Sequence, residues 1–561
     1  MDFDIAIVGS GFGGSFMAMI ARRLGRSVIL LERGRHPRFV IGESSTPLAN
    51  LLVEELARRY DLPRLLPLAK WGTWQKTYPQ VGCGLKRGFT FFHHRFGRPF
   101  VHDPERRDQL LVAASPRDEI ADTHWYRADF DQFLVREAQS LGAEYLDQAK
   151  LTGIAVGNEG VKIHGEREGR RFSVRARFVI DASGPRGFLQ RALDLPETSF
   201  ENFPRTQALY SHFAGVRRWE NVAAVPSKRP GAACRSAAGA ASLGAEQPPY
   251  PVDDAAVHHV FDGGWIWVLR FNNGITSAGV AARETLAKEL RLAEGAPAWK
   301  RLLQRLPTLA EQFSGASVEL PFIHTPRLSF RSGAVAGPRW ALLPSAAGFI
   351  DPLLSTGFPL TLQGVARLAE ILATEWNSPG FEECLGRYGR CTLEELDAAA
   401  LLAGALYANL NDFPLFAALS LLYFASASFS ETARRLNRPQ LAGGFLLHDD
   451  PRFGPQLRSC CERARRAREN SGLTAATRAK LIEDIFDAIA PIDMAGLSDR
   501  SRRNWHPADA RDLLNAARKL GVARSEIEQM LDRCGFFPPQ DSGAVAASAV
   551  VLRGRGTCGT L

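Results

Sequence analysis

Residues 2–33 read DFDIAIVGSGFGGSFMAMIARRLGRSVILLER, and this stretch decides the fold. An apolar, β-branched run at 3–8 passes into GSGFGG, a helical pattern follows at 15–24, and a second apolar run at 27–32 closes on an acid. Strand, glycine turn, helix and acid-tipped strand within about thirty residues form the layout of a dinucleotide-binding unit. Gly9 permits the tight turn, Gly11 lets the backbone approach a pyrophosphate, and Gly14 allows close helix packing. The helix start at Phe12 and Gly13 adds amide donors and the positive end of a dipole. Glu32, followed by Arg33, stands where an acid accepts ribose hydroxyls, a role that disfavours a 2′-phosphate. By itself the motif leaves NAD and FAD both open.

Working outward, strands predicted at 144–147, 172–180 and 340–343 and a helix at 130–141 complete a doubly wound core assembled from distant segments. A second group of strands, at 88–94, 207–216, 258–261, 265–271 and 277–281, has no helices between its later members. That pattern predicts an antiparallel sheet on the substrate side of a cleft. Residues 223–253 are rich in Ala, Gly, Pro and Ser without periodicity and read as a mobile insertion, a disordered loop in preference to a lid. After Gly357 the pattern is helical almost to Arg533, with breaks at Pro379, Pro414, Pro439 and Pro451. The expected organisation is a cofactor-binding core over 1–380 (segments 1–80, 100–200 and 330–380) carrying an inserted substrate-side sheet (81–99 and 201–329). A helical C-terminal module follows at 381–537, then a poorly ordered tail at 538–561.

The 561 residues are 45% hydrophobic and 23% charged, as befits a chain that buries a large core. A net charge of +9 suits an anionic cofactor or an acidic partner. The densest basic run, RSCCERARRAR at 458–468, lacks interleaved aromatics and predicts one charged helix face, with no nucleic-acid groove. Eight cysteines without a CxxC pair indicate neither a metal site nor a disulfide framework, and reduced thiols are expected. The opening MDFDIAIVG enters a core strand with no basic leader, which points to a cytoplasmic protein. The longest uncharged stretch, 413–430, falls short of the roughly 20 apolar residues that span a bilayer, so a buried helix and no stable membrane insertion are expected.

Two later segments decide between the nucleotides. FVIDASG at 178–184 and LLPSAAGFIDPLLSTG at 342–357 resemble the second and third cofactor motifs of flavin monooxygenase-like proteins, which implies FAD. Asp181, with Ala182 and Gly184 after it, ends a strand from which its carboxylate could brace the first glycine loop. Asp351 and the loop after it fall beside the flavin ring in this resemblance. Pro344 and Ser345 stand where those proteins have Gly-Asp. With a single dinucleotide fingerprint, reduced flavin is expected from a separate flavin reductase. The fold class is therefore α/β: a Rossmann-like FAD-binding core of the flavin monooxygenase type, with an antiparallel substrate sheet and a helical C-terminal module.

Taken with HPRFVIGESSTP at 36–47, CGLKRGFTF at 83–91 and GGWIWVLRFNN at 263–273, these segments resemble the flavin-dependent halogenases, most closely the branch acting on phenols, including phloroglucinol halogenases. The resemblance implies that reduced FAD and oxygen oxidise a chloride or bromide ion, and that hypohalous acid travels through a tunnel to a lysine beside the substrate. Lys86 matches that lysine. The backbone amides of Thr356 and Gly357 match the halide site, Gly42, Glu43 and Ser44 a strap contacting the flavin, and Arg127 a residue reaching the cofactor. The substrate pocket then includes His93, Trp265, Trp267, Leu354 and Ser355, with His93 and His94 as candidate bases. The family's WxWxIP signature survives as Trp265 and Trp267, while Leu269 and Arg270 replace its closing Ile-Pro. Leu354 occupies the position of a glutamate used by the tryptophan branch, which favours a phenol over an indole. The expected partners are the reductase and a small aromatic substrate, free or tethered to an acidic carrier protein. The alternatives are an FAD-dependent monooxygenase hydroxylating an aromatic ring, and a flavoprotein without catalytic activity.

Overall fold

The computed structural model describes residues 2–223, 247–469 and 474–538. Its central sheet runs Ala336–Gly337, Trp340–Leu342, Arg170–Asp181, Asp2–Val8, Val28–Leu31, Glu144–Leu146. The last five of these strands are mutually parallel. Ile5, Ile7, Leu30, Ile180, Ala341 and Leu342 are wholly buried, as expected of strands covered on both faces. The register pairs Val8 with both Leu31 and Asp181, and Asp181 with Leu342. Glycine turn, Glu32 and the second cofactor motif therefore meet at one carboxyl edge of the sheet, where open α/β folds bind ligands.

The second sheet has the core order Thr206–Ala214, Ile275–Arg283, Gly264–Arg270, Ala256–Phe261, Gly88–His93, Gln109–Ala113. It departs from the expected antiparallel pattern at two places. Ala256–Phe261 lies parallel to Gly88–His93, because the chain between them leaves the sheet and returns after crossing the FAD core. Trp505–His506 adds a parallel edge strand beside Gln109–Ala113, inside a stretch expected to be wholly helical. Two residues are too few to show a period in sequence.

Residues 224–246 of the expected insertion lie outside the described residues. Its end belongs to the core: Tyr250 and Asp253 are buried, and Asp253 accepts from the Trp219 amide (2.9 Å) and from Arg270 Nε (3.2 Å). The tail beyond residue 538 also lies outside the described residues.

Long helices Gly357–Thr374, Phe381–Ala408 and Phe413–Arg435 pack behind the cleft. The last runs 23 residues, past the uncharged stretch, because Arg434 and Arg435 are neutralised by Glu55 and Glu431. By length and hydropathy it could cross a membrane, yet 78% of its apolar window is buried within the protein. The basic run forms the helix Phe453–Glu469, with Cys460, Cys461 and Ala464 facing inward and Arg463 paired to Asp484 at 2.7 Å.

Candidate functional site

The glycine turn opens onto two arginines, each paired with a carboxylate. A Cβ on Gly11 would lie 3.4 Å from Arg127 Nη2 and 3.9 Å from Arg38 Nη2, so two guanidiniums flank the start of helix Phe12–Arg23. Arg127 is locked by a bidentate pair with buried Asp131 (2.8 Å each) and donates to the Gly42 carbonyl (2.9 Å). Its guanidinium sits 5.1 Å over Phe12. Glu32 accepts from the Ser10 amide (3.0 Å), Ser10 Oγ (2.9 Å) and the Gly34 amide (2.8 Å). Burial pushes its carboxyl up, but Arg38 and these donors outweigh burial and hold it below the usual range. Helix amides, two arginines and an ionised acid fit the pyrophosphate and ribose of FAD.

Two residues here differ from expectation. Arg33 is exposed, and Arg38 is the arginine beside Glu32 (3.2 Å) and Gly11. The Asp181 carboxylate braces its own loop, accepting from the Ser183 amide (2.8 Å) and the Leu189 amide (2.6 Å). Contact with the first glycine turn is made by the Ala182 backbone, which a Cβ on Gly9 would meet at 2.6 Å. Gly184, with φ of +85°, turns the chain at the end of the Asp181 loop.

Lys86 ends a short strand, Cys83–Lys86, that pairs antiparallel with Asp122–Trp125. The 42–45 strap lies along the other edge of that second strand. Trp125 N donates to Glu43 O (2.6 Å), Ser45 N donates to Thr123 O (3.2 Å), and Ser44 bridges His124. Lys86 is 0% exposed; its Nζ donates to Ser44 Oγ (3.0 Å) and the Ser45 carbonyl and lies 3.7 Å from the Phe89 ring centre. Desolvation lowers its pKa, opposed by the Asp122 carboxylate. Gly84 lets this ribbon approach the tryptophan strand, since a Cβ there would lie 1.9 Å from the Arg270 carbonyl. Glu43 is buried and pairs with His212 Nε2 at 2.8 Å.

The 351–356 loop lies before helix Gly357–Thr374. Asp351 Oδ1 accepts from the Leu353 amide (2.9 Å), and its Oδ2 accepts from Tyr407 Oη (2.7 Å). Tyr407 in turn accepts from Trp265 Nε1 (3.0 Å). The first indole of the signature is thus tied to the loop through a tyrosine of the helical module. Trp267 instead donates to Ser277 Oγ (3.3 Å). Burial pushes the Asp351 carboxyl up to about 7, although Tyr407 opposes this. Ser355 takes a left-handed conformation (φ 54°), and Thr356 precedes helix amides that have no acceptor within the helix. Behind the loop, a cavity of about 10 Å³ is lined by Asp351, Leu354, Thr356, Leu402, Tyr423 and Leu446, at the lower limit of what holds one water. Tyr423 also faces Thr46 and Asp122, and its ring lies 6.3 Å from Phe89. Loop cavity, Tyr423, Phe89 and Lys86 are therefore contiguous. A larger recess of about 350 Å³, at Glu197, Phe200, Arg205, Arg327 and Phe330, shares no residue with this line.

Tyr407→Phe removes one donor and one acceptor from buried partners. We expect it to destabilise the fold by about 2 kcal/mol. Denaturant unfolding checks this, and an unchanged midpoint would mean that the chain of hydrogen bonds is not formed.

The histidines show what sequence order conceals. His93 stacks on Phe413 (5.4 Å) and pairs with Asp108 (3.0 Å), while His94 pairs with His259 (3.0 Å) beside Trp219 on the opposite face of the strand. Neither approaches Lys86 as His124 and His258 do. His258 stacks on Phe91 at 4.4 Å and lies 5.3 Å from Trp265. Burial depresses it to about 3, so its ring is neutral. Asp122, His124, His258, Tyr407 and Tyr423 carried no local signal; only strand register and helix packing bring them to the site.

The comparisons with known proteins agree with this geometry. Residues 4–209 match the model of the FAD dependent oxidoreductase family. Monodechloroaminopyrrolnitrin halogenase of Pseudomonas fluorescens is 29% identical over 430 residues, 75% of this chain and 70% of that protein. Tetracycline 7-halogenase of Kitasatospora aureofaciens is 28% identical over 94% of this chain and 95% of its own length. The crystal structure of halogenase PltM with phloroglucinol and FAD superposes with a TM-score of 0.77 at 26% identity, covering 89% of this chain and 99% of that one. An FAD cradle at the sheet edge, joined through one strap to a buried lysine, thus accompanies a similarity to flavin-dependent halogenases that runs along nearly the whole chain.

Proposed function

We propose that this enzyme chlorinates or brominates a phenolic ring, with Lys86 directing hypohalous acid to the substrate. Bound reduced FAD, with dioxygen, supplies the oxidation that converts halide to hypohalous acid. The Thr356 and Gly357 amides hold the halide at the start of a helix, where the dipole favours an anion. Tyr423 lines the cavity behind that loop, and its ring and that of Phe89 pack between the cavity and Lys86. Strap, Arg127 and Glu32 hold and orient the cofactor.

The observation that carries this reading is the complete burial of Lys86 on a ribbon whose far edge is the strap. A lysine serving only as surface charge would lie in solvent, since burying an ammonium is costly. Leu354 and the PltM structure, which contains phloroglucinol, support a phenol as substrate. A deprotonated phenol supplies its own electron density, so a glutamate at residue 354 is dispensable. The single nucleotide fingerprint supports a separate reductase as the source of reduced flavin, acting with this enzyme in the cytoplasm. Aromatic hydroxylation is not favoured, because it gives Lys86 no task.

Reactions containing a flavin reductase, FAD, bromide or chloride and a panel of phenols test the reading by mass spectrometry. Products bearing the halogen isotope pattern are expected. Products that gain oxygen and no halogen would overturn it.

A further inference from the structure

Lys86 and Asp122 are direct partners in the antiparallel register, and both are buried, at 0% and 7% exposure. They nevertheless hold different groups. Lys86 Nζ donates to Ser44 Oγ and the Ser45 carbonyl, while Asp122 Oδ1 accepts from Asn50 Nδ2 at 2.9 Å. An ammonium has three donors, so one N–H is left without an oxygen acceptor and meets the face of the Phe89 ring. Asp122 Oδ2 is buried with no hydrogen-bond partner. A spare donor and an orphaned carboxylate oxygen thus occur on neighbouring side chains of one dry ribbon.

The other groups facing this pair are few. His124 lies on the same strand as Asp122, and His258 reaches Lys86 from Ala256–Phe261; burial lowers the pKa of both and leaves them neutral. Tyr423, Glu431 and Arg435 face Asp122 from helix Phe413–Arg435, and Glu431 and Arg435 neutralise one another at 2.7 Å. Among the described residues, Asp122 is therefore the negative charge that acts on Lys86.

Resting on the Lys86 reading above, we infer that Asp122 is a second catalytic residue that keeps Lys86 a proton-bearing ammonium, so that the lysine acts on the halogen electrophile as a hydrogen-bond donor and not as a neutral amine. Burial disfavours both charges of the pair, lowering the pKa of the Lys86 ammonium and pushing that of the Asp122 carboxyl up, and each group opposes the other's shift. One spare N–H and one spare oxygen suit a guest that accepts and donates through a single oxygen, as hypohalous acid does. When a ring carbon attacks the halogen, the halogen–oxygen bond breaks and its electron pair stays on oxygen. That oxygen takes a proton from Lys86 and leaves as water. The ring proton passes to Asp122 and from there back to Lys86, so ring and hypohalous acid become halogenated ring and water with no other reactant.

Asp122→Asn keeps the shape and the Asn50 contact but removes the charge. Without it Lys86 loses its proton at lower pH, so the alkaline limb of product formation moves downward. With holoenzyme and reductase we expect that limb to move by at least about one pH unit and the rate near pH 8 to fall at least about tenfold. Hypohalous acid captured by added taurine should rise in compensation. Asp122→Glu, with its charge kept, should return the limb towards wild type. An unmoved limb, or faster halogenation in Asp122→Asn, overturns the inference. Lys86→Ala run in parallel separates the two readings: product retained there sinks the role of Lys86 itself, whereas product lost there but kept in Asp122→Asn sinks only the role of Asp122.

Discussion

Lys86→Ala protein is expected to retain FAD and consume oxygen at the wild-type rate while forming halogenated product at least about a thousandfold more slowly, a barrier increase of ~4 kcal/mol. The expectation follows from where the lysine stands. It hydrogen-bonds the strap at Ser44 and Ser45, which backbone pairing with Asp122–Trp125 also holds, and touches neither the glycine turn nor Arg38 and Arg127. Its loss should leave the oxidation of halide intact and let hypohalous acid escape to solution, where a trapping reagent counts it. Truncation also removes the counter-charge of Asp122, whose buried carboxyl must then take up a proton, which costs stability near neutral pH. Lys86→Met, with similar volume and no charge, controls for the cavity. Halogenated product from both variants at wild-type yield would remove Lys86 from the chemistry.

The second large effect distinguishes two glycines of one motif. A Cβ on Gly14 would lie 1.9 Å from the Gly9 carbonyl oxygen, a backbone atom that cannot yield without opening the turn. Gly14→Ala should therefore lower the melting temperature of the FAD-free protein and weaken FAD binding at least about a hundredfold, ~3 kcal/mol. A Cβ on Gly11 meets nothing closer than the end of the Arg127 side chain at 3.4 Å. Gly11→Ala should leave FAD-free stability within about 0.5 kcal/mol. Its cost should fall on FAD binding alone, because the added methyl occupies the approach to the two guanidiniums. Fluorescence titration with FAD and thermal unfolding without it measure the two separately. Equal FAD affinity in Gly11→Ala and wild type would displace the pyrophosphate from this turn.

The first unit of the fold was legible because its signals are local. Glycine spacing, a change of apolar period and an acid at a strand end all fall within residues 2–33, and the observed strands and helix lie within a few residues of the expected ones. Strands of the second sheet were legible as segments, since alternation is also local. Their pairing was not: Ala256–Phe261 beside Gly88–His93 is parallel because of a long crossover that no window of residues contains. The end of the expected insertion proved to be core for the same reason, as Asp253 is held by Trp219 and Arg270 from other segments.

The candidate site divides similarly. Amino-acid order alone determined the dinucleotide motif, the α/β class, and through resemblance Lys86 and the 351–357 loop. What surrounds them was decided by tertiary structure: Asp122 beside Lys86, Tyr407 between Trp265 and Asp351, and His124 and His258 in place of the adjacent pair His93 and His94. Burial and register set a group's charge and its hydrogen-bond partners, and both depend on chain segments far apart in sequence. A residue type can be read from its letter, whereas the proton it carries depends on neighbours that only folding supplies.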